Sequence, residues 1–319
     1  MDGSEMKRLL LLGLAAGVCV VALSLRSSEK SRIRDEWTAM GTVAGLTFRG
    51  DAPDREAARG LVQARYERLE SLLSAWDADS ELSRLSREGG TNWIGRVSAE
   101  VKECYRAAML LAERSGGAFN PQIGARMREL GFSSGRSFAD FDLGAIAKGF
   151  AVDAAWQDVT RRFGEPDLLI DLGGNLRVVG GKWRTGVRNP FDQGYAATIV
   201  LTNGEAVATS GNYERFVVHN GVRRSHIIDG RTGEPVTGMA GVTVVAPTAT
   251  LADGLSTTLF VLGPEAGERF LAKWHHDVLA LWIPDTPESP TVCATRAMAA
   301  RLKDVEYPLH LVADGKVGK

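Results

Sequence analysis

Residues 168–179, LLIDLGGNLRVV, contain two short apolar runs that flank a double glycine. Branched residues favour strands, and Gly and Asn supply the tight turns between them. Comparable runs follow along the chain, at residues 196–201, 206–209, 215–218, 225–228 and 242–246. This pattern predicts an antiparallel meander. The double glycine indicates either a bulge or a close backbone approach to a ligand.

Helical spacing of apolar residues appears on both sides of this strand-rich region. The helical segments are 61–73, 101–112, 145–163, 252–261 and 264–274, and further strands are expected at 42–48, 278–283 and 309–312. Helices early, strands later and helices last are typical of an α+β fold rather than of a regular βαβ alternation. No low-complexity linker and no internal repeat divides residues 40–319. We therefore expect one domain, a mostly antiparallel sheet with helices packed around it.

Composition excludes several classes of protein. Hydrophobic residues make up 44% and charged residues 24% of the 319 residues, which argues against wholesale disorder, collagen-like structure and coiled coils. Lys and Arg number 38 against 39 Asp and Glu, so no strong basic field favours nucleic acid as a partner. Three cysteines without a CxxC or a zinc-type Cys/His spacing argue against a disulfide scaffold and a zinc site.

The N-terminus carries the pattern of a targeting segment. Residues 9–25 are apolar and follow Lys7 and Arg8, as in a secretory signal peptide or an uncleaved signal anchor. As a helix this run would span about 25 Å, a marginal crossing of a bilayer core of roughly 30 Å. The positive-inside rule counts the basic residues that follow against export. They are Arg26, Lys30, Arg32 and Arg34.

We expect residues 1–35 to direct export to the periplasm, either as a cleaved peptide or as an anchor in the inner membrane. Residues 36–319 would then form the folded domain. If the apolar run is retained, residues 9–25 are the part of the chain that contacts the membrane.

Residues 142–149, Asp-Leu-Gly-Ala-Ile-Ala-Lys-Gly, have the features of a helix start that binds an anion. A glycine-bearing turn at a helix N-terminus presents backbone N–H groups, and Lys148 adds a positive charge one turn later. The alternative is that Asp142 is an N-cap and Lys148 a solvated side chain. The pattern alone leaves both interpretations open.

Asp253 and Thr257 are four residues apart and lie on one face of a predicted helix. A carboxylate and a hydroxyl supply only oxygen, which suits a hard cation such as Mg²⁺. The alternative is a helix cap followed by a polar face. His226 falls in the predicted strand 225–228, where a single histidine is more often structural than catalytic.

Taken in chain order, eight segments resemble the ApbE-type FAD:protein FMN transferases. They are Met40–Thr42, Leu73–Trp76 with Asp79–Leu82, Gly117–Pro121, Asp142–Gly149 with Asp153, Asp171–Gly174, Thr209–Tyr213, His226–Asp229 and Ala252–Thr257. Each segment is a weak signal alone, but their fixed order over residues 37–283 is specific.

The resemblance implies an α+β fold with the flavin held in a cleft, FAD as substrate and Mg²⁺ as cofactor. Such enzymes split the FAD pyrophosphate, release AMP and join FMN by a phosphoester bond to a Thr or Ser of an acceptor protein. The acceptors are mostly exported subunits of membrane electron-transport complexes. A Mg²⁺-dependent FAD pyrophosphatase that gives FMN and AMP, and a flavin-binding protein without turnover, stay open as alternatives.

The same resemblance assigns individual residues. The residues expected to line the FAD site are Met40, Trp76, Ala118, Phe119, Asn120, Asp142, Lys148 and Ile227. The expected Mg²⁺ ligands are the backbone carbonyl of Ala145 and the side chains of Asp253 and Thr257. His226 would be the base that takes the acceptor proton.

Three positions depart from the family pattern. Trp76 stands where Tyr is common, which keeps an aromatic ring for stacking but removes a phenol. Asn120 stands where Asp is usual, which removes one negative charge. Gly230 stands where Pro commonly follows the His-Ile-Ile-Asp segment, which would loosen that turn.

Overall fold

The computed structural model describes residues 32–50, 54–88, 95–132, 140–213, 216–219 and 222–312. The first strands and helices are β1 Arg32–Ala39, β2 Thr42–Arg49, α1 Arg55–Leu73, α2 Glu81–Glu88, α3 Ala99–Arg114, α4 Gly124–Glu129 and α5 Ala147–Phe163. The strand-rich middle comprises β3 Leu168–Leu172, β4 Asn175–Val179, β5 Lys182–Arg188, β6 Tyr195–Thr202, β7 Ala206–Gly211, β8 Phe216–His219, β9 Val222–Ser225, β10 Ile228–Asp229, β11 Glu234–Pro235 and β12 Met239–Ala246. The last elements are α6 Ala249–Trp274, β13 Leu279–Pro284, β14 Val292–Ala294, α7 Arg296–Ala299, β15 Leu302–Lys303 and β16 Leu309–Leu311.

A nine-stranded sheet in the order β1-β2-β3-β4-β7-β12-β13-β14-β16 forms the centre of the described structure. Its neighbouring strands are antiparallel except for β14 and β16. Strands β5, β6 and β15 form a separate three-stranded sheet, and β8-β9 and β10-β11 form two short ribbons. The predicted α+β class with a mostly antiparallel sheet is confirmed.

The central sheet separates two apolar cores because side chains alternate along its strands. On β7, Ala206 and Ala208 lie in the core that also contains helices α1, α3, α5 and α6, whereas Val207 lies in the opposite core. That second core contains the fully buried Trp183 of the three-stranded sheet. The residues of β7 that face the helices are therefore those at even positions, including Ser210.

The double glycine at residues 173 and 174 forms the turn of the β3-β4 hairpin. Leu172 pairs with Asn175, and Gly173 and Gly174 have positive φ values of 59° and 86°. Two positive φ values match the twist of a two-residue hairpin, and glycine takes them without strain. The pairing of β3 with β4 has no bulge, and the turn packs closely against Thr42, since a Cβ on Gly173 would lie 2.6 Å from its Oγ1.

Two predicted helices, 252–261 and 264–274, form the single element α6 with a break between them. Gly263 has φ 72° and ψ 178°, outside the helical region, and Pro264 follows it. Proline removes a backbone donor and clashes with the preceding turn, so the helix is interrupted here. The prediction of two helical segments is confirmed, with the first beginning three residues earlier than expected.

Several elements were absent from the prediction, namely β1, α2, α4, β5, β11, β14, α7 and β15. Strand β1 is rich in charge and is held by tertiary contacts, since Arg34 donates to the buried Asp171 carboxylate at 2.8 Å. Burial raises the pKa of the Asp171 carboxyl, and the Arg34 guanidinium opposes that shift. Because β1 begins at Arg32, two of the basic residues that follow the apolar run belong to the folded sheet.

The predicted strand 225–228 is wrong. Strand β9 ends at Ser225 and β10 begins at Ile228, so His226 lies in a bend between them. The Ser225 hydroxyl accepts the Ile227 N–H at 3.1 Å, a local bond that replaces a strand ladder bond. His226 and Ile228 therefore do not share one face of a continuous strand.

The apolar run of residues 9–25 lies outside the described residues. Among those that are described, no helix has the length and apolar character to cross a membrane.

Candidate functional site

A buried carboxylate lies where the start of α5 meets α6. Asp253 is only 5% exposed, and its Oδ2 accepts the backbone N–H of Gly149 at 2.9 Å. Its Oδ1 lies 3.9 Å from Nζ of Lys148. Gly149 is required at this crossing, because a Cβ there would overlap the carbonyl of Ala249. The Gly149 N–H, expected to be available to a bound anion, is thus taken by Asp253.

The charge of Asp253 is only partly compensated. Burial raises the pKa of its carboxyl, and Lys148, the Gly149 N–H and Asn175 act in the opposite direction. A buried carboxylate is costly without a paired positive charge. The ammonium of Lys148 lies beyond hydrogen-bond distance of the Asp253 carboxylate and donates instead to the Gly144 carbonyl at 3.3 Å. A divalent cation at this carboxylate would supply the missing charge.

The other two predicted metal ligands lie on the same two elements. Thr257 is half-buried one helical turn after Asp253, and Ala145 lies in the turn of residues 144–146 that leads into α5. Within the described parts of the chain, His, Cys, Asp and Glu form no group of three or more that could hold a metal. A site here would instead combine one carboxylate with hydroxyl and carbonyl oxygens, and these oxygen donors fit Mg²⁺.

Asp153, which the sequence assigned no role, holds the N-terminus of α6. Its carboxylate accepts the backbone N–H groups of Ala249 at 2.7 Å and Thr250 at 2.8 Å. Arg177 donates to the same carboxylate at 2.6 Å and to the Pro247 carbonyl at 3.1 Å. The first turn of α6 is therefore fixed to α5 one turn before Asp253. An Asp in mid-helix with apolar neighbours was the only sequence signal for this contact.

Replacing Asp153 by Ala is expected to lower the free energy of unfolding by about 3–5 kcal/mol, because it leaves Arg177 buried without its partner. Urea unfolding measures the change. The double variant Asp153→Ala with Arg177→Met should lose less, since no unpaired charge remains. A single variant as stable as the wild type would contradict the role given to this pair.

The turn after α3 is fixed by local hydrogen bonds. Ser98 caps the helix at its start, and at its end Gly117 donates to the Ala112 carbonyl at 2.9 Å. Ala118 and Phe119, both expected to line the FAD site, are 1% and 3% exposed. A ligand at this turn would therefore meet their backbone rather than their side chains.

This turn contacts the two other segments that carry predicted site residues. Asp142 donates its N–H to the Pro121 carbonyl at 2.8 Å and accepts the Gly144 N–H at 2.8 Å. Gly230 donates its N–H to the Ala118 carbonyl at 3.2 Å. The structure thus brings together residues 117–121, 142–149 and 226–230, which are distant in sequence.

Gly230 is held rather than loosened, contrary to the expectation drawn from the missing proline. A Cβ on Gly230 would overlap the Cβ of Asn120 and the carbonyl of Gly117. Close packing and the hydrogen bond to Ala118 together fix the turn that follows His226. Ile227 is 4% exposed, and its carbonyl accepts the Val236 N–H at 2.9 Å.

Replacing Gly230 by Ala is expected to lower the free energy of unfolding by about 1–3 kcal/mol, because the new methyl group has no space. FAD affinity should fall together with the melting temperature, since the displaced turn carries Asn120. Gly60→Ala is the matched control, because a Cβ at this exposed position in α1 meets nothing within 4 Å. Equal stability of the two variants would contradict the packing argument.

Met40 and Trp76 lie on other elements, at the β1-β2 turn and in the loop after α1. Met40 and Gly41 have φ values of 48° and 69°, and the Met40 N–H donates to the Glu70 carboxylate at 3.0 Å. A non-glycine residue in this region is strained, and such strain concentrates at binding sites. Trp76 is 40% exposed, and the Ser74 hydroxyl accepts its N–H at 3.2 Å. Part of this residue is therefore accessible to a stacking partner.

Comparisons with known proteins agree in pointing to one family. A family model described as ApbE family matches residues 40–140 and 135–282. A FAD:protein FMN transferase of Rhodobacter capsulatus is 29% identical over an alignment that covers 92% of this chain and 63% of that relative. The one of Treponema pallidum is 31% identical over 78% of this chain and 84% of that relative. The chain thus spans less than two thirds of the length of the first of these relatives.

Solved structures show the same fold. The ApbE protein from Thermotoga maritima aligns with a TM-score of 0.75 at 24% identity and covers 86% of this chain and 100% of its own. The flavin transferase ApbE from Vibrio cholerae aligns with a TM-score of 0.71 at 23% identity, and the alignment covers 85% of this chain and 99% of that protein.

Proposed function

The chain belongs to the ApbE family, and from that premise we propose that it is a Mg²⁺-dependent FAD:protein FMN transferase. It would transfer FMN from FAD to a Thr or Ser hydroxyl of an acceptor protein and release AMP. The observation that carries the proposal is the buried Asp253, bonded to Gly149, near Lys148 and one turn before Thr257. Lys148 compensates the charge of Asp253 only in part, and a cation bound together with the FAD pyrophosphate would supply the remaining positive charge.

The reaction is a displacement at phosphorus. The acceptor oxygen forms a bond to the FMN phosphorus, the bond from that phosphorus to the bridging oxygen breaks, and AMP leaves with that oxygen. Mg²⁺, when bound by Asp253, Thr257 and the Ala145 carbonyl, supplies charge stabilisation for the phosphoryl oxygens. The proton of the acceptor hydroxyl goes to His226, which acts as general base.

Some of the protein's own residues would hold the substrate phosphates, and others keep the base and the metal ligands in position. Lys148 is a point charge beside the carboxylate and is suited to a phosphate oxygen. The hydrogen bond from the Gly230 N–H to the Ala118 carbonyl joins the segment that carries His226 to the turn that carries Asn120, and this contact supports a base beside the expected flavin site. Asp153 keeps the start of α6 in place and thereby the two side-chain ligands.

We also propose where the reaction occurs and on what. The chain would act in the periplasm, with residues 9–25 serving for export or anchoring, and its acceptor would be an exported subunit of a membrane electron-transport complex. Both statements rest on the N-terminal sequence and on the family.

Nucleotide chromatography tests the proposed reaction. The full chain is incubated with FAD and Mg²⁺, with and without a candidate acceptor that carries a Thr or Ser site. The transferase produces AMP in step with loss of FAD and little free FMN, and only when acceptor is present. Free FMN in amounts equal to AMP would instead establish a pyrophosphatase, and bound FAD without AMP would establish a flavin-binding protein.

A further inference from the structure

We propose that Ser210 is a positioning residue of the cation site: it accepts the hydroxyl proton of Thr257 and so turns the oxygen lone pairs of Thr257 toward the cation. This inference rests on the proposed Mg²⁺ site and adds a residue to it. Ser210 lies on β7, on the face of the sheet that packs against α6.

Three hydroxyl groups form a chain beside Asp253. The Ser210 Oγ lies 3.2 Å from the Thr257 Oγ1 and 2.7 Å from the Ser256 Oγ. Ser256 in turn donates to the backbone carbonyl of Asp253 at 2.8 Å. This row of hydrogen-bonded hydroxyl groups therefore begins at one proposed metal ligand, Thr257, and ends at the backbone of the other, Asp253.

Counting hydrogens leaves one direction in which all three of these hydrogen bonds form together. A hydroxyl has one hydrogen to donate, and a carbonyl has none. The hydrogen of Ser256 is committed to the Asp253 carbonyl, so Ser256 accepts from Ser210. The hydrogen of Ser210 is then committed as well, so Ser210 accepts from Thr257.

This direction is the one that a metal ligand needs. A neutral hydroxyl binds a hard cation through its lone pairs, so its hydrogen must point elsewhere. Ser210 supplies the acceptor for that hydrogen. Its own position is set by the sheet, since Ser210 pairs with Val242 of β12 in the centre of the nine strands. Partners of this kind orient metal ligands, and their loss typically weakens metal binding by about 10–100-fold.

Binding of Mn²⁺, measured from the electron paramagnetic resonance signal of the free ion, tests the proposal. Ser210→Ala should raise the dissociation constant about tenfold or more. In the Mg²⁺ dependence of AMP release, the half-saturating concentration should rise by a similar factor, while the rate at saturating Mg²⁺ stays within about twofold of wild type. Ser256→Ala, which frees the Ser210 hydrogen to turn toward Thr257, should weaken Mn²⁺ binding as well.

Thr243→Val is the matched control. The Thr243 hydroxyl bonds to Thr209 at 2.9 Å across the same two strands, on the opposite face of the sheet. This variant should bind Mn²⁺ as the wild type does. Unchanged Mn²⁺ affinity in Ser210→Ala, or an equal loss in Thr243→Val, would overturn the role given to Ser210 and leave the proposed transferase intact. Failure of the wild type to bind Mn²⁺ would overturn the metal assignment itself.

Discussion

Replacing Asp253 by Asn is expected to abolish Mg²⁺-dependent AMP release while the fold remains intact. The amide keeps the size of the side chain and an oxygen for the Gly149 N–H, but it removes the charge that would bind the cation. A metal ion contributes several kcal/mol of charge stabilisation in such transfers, so the rate should fall by about 10³-fold or more. AMP release at saturating Mg²⁺ measures the effect, and full activity would refute the assignment of Asp253.

Stability in EDTA provides the control for this variant. Because burial raises the pKa of the Asp253 carboxyl, the folded wild type binds more protons than the unfolded chain once the pH exceeds the ordinary carboxyl value. The cation-free wild type therefore loses stability as the pH rises from about 4 to the raised pKa of Asp253, and the Asn variant lacks this contribution. We expect the melting temperature of the variant in EDTA to equal or exceed that of the wild type, increasingly so at higher pH.

Replacing His226 by Ala is expected to slow FMN transfer to the acceptor by about 10²–10⁴-fold, the usual contribution of a general base. FAD affinity should change little, because the turn around the residue is held by backbone bonds of Ile227 and Gly230. Single-turnover transfer and FAD binding are measured on the same preparations.

His310 provides the matched control for this variant, since it is exposed on the edge strand β16. The His310→Ala variant should transfer FMN at the rate of the wild type. Equal losses of FAD affinity and of transfer rate in His226→Ala would indicate a structural role for His226 rather than proton transfer.

The parts of the fold that the sequence predicts well are those set by local interactions. The β3-β4 hairpin follows from branched residues around Gly173 and Gly174, and the ends of α3 follow from Ser98 and the glycines after Arg114. The face shared by Asp253 and Thr257 follows from helical spacing alone.

The parts that the sequence misses depend on distant partners. Strand β1 is polar and is held by pairing with β2 and by Arg34 on Asp171. The bend at His226 depends on a single Ser225 hydroxyl. The predicted loosening at Gly230 did not take into account its close packing against Asn120 and Gly117. Periodicity carries no information about such contacts.

The site residues also divide into those that the sequence indicated and those whose role depends on distant partners. Resemblance supplied a set of residues, and the structure brings several of their segments together at the start of α5 and around the turn after α3. Asp153 and Ser210 were present in the matched segments without a role, because their partners Ala249, Thr250 and Thr257 come from the far end of the chain.

The intact mass of the acceptor protein tests the central claim most directly. The full chain is incubated with FAD, Mg²⁺ and an acceptor, and in parallel with an acceptor whose Thr or Ser site is replaced by Ala. We expect the first acceptor to gain the mass of one FMN, only with Mg²⁺ present, and the second acceptor to gain none. An unmodified first acceptor, with AMP and FMN accumulating free in solution, would contradict it.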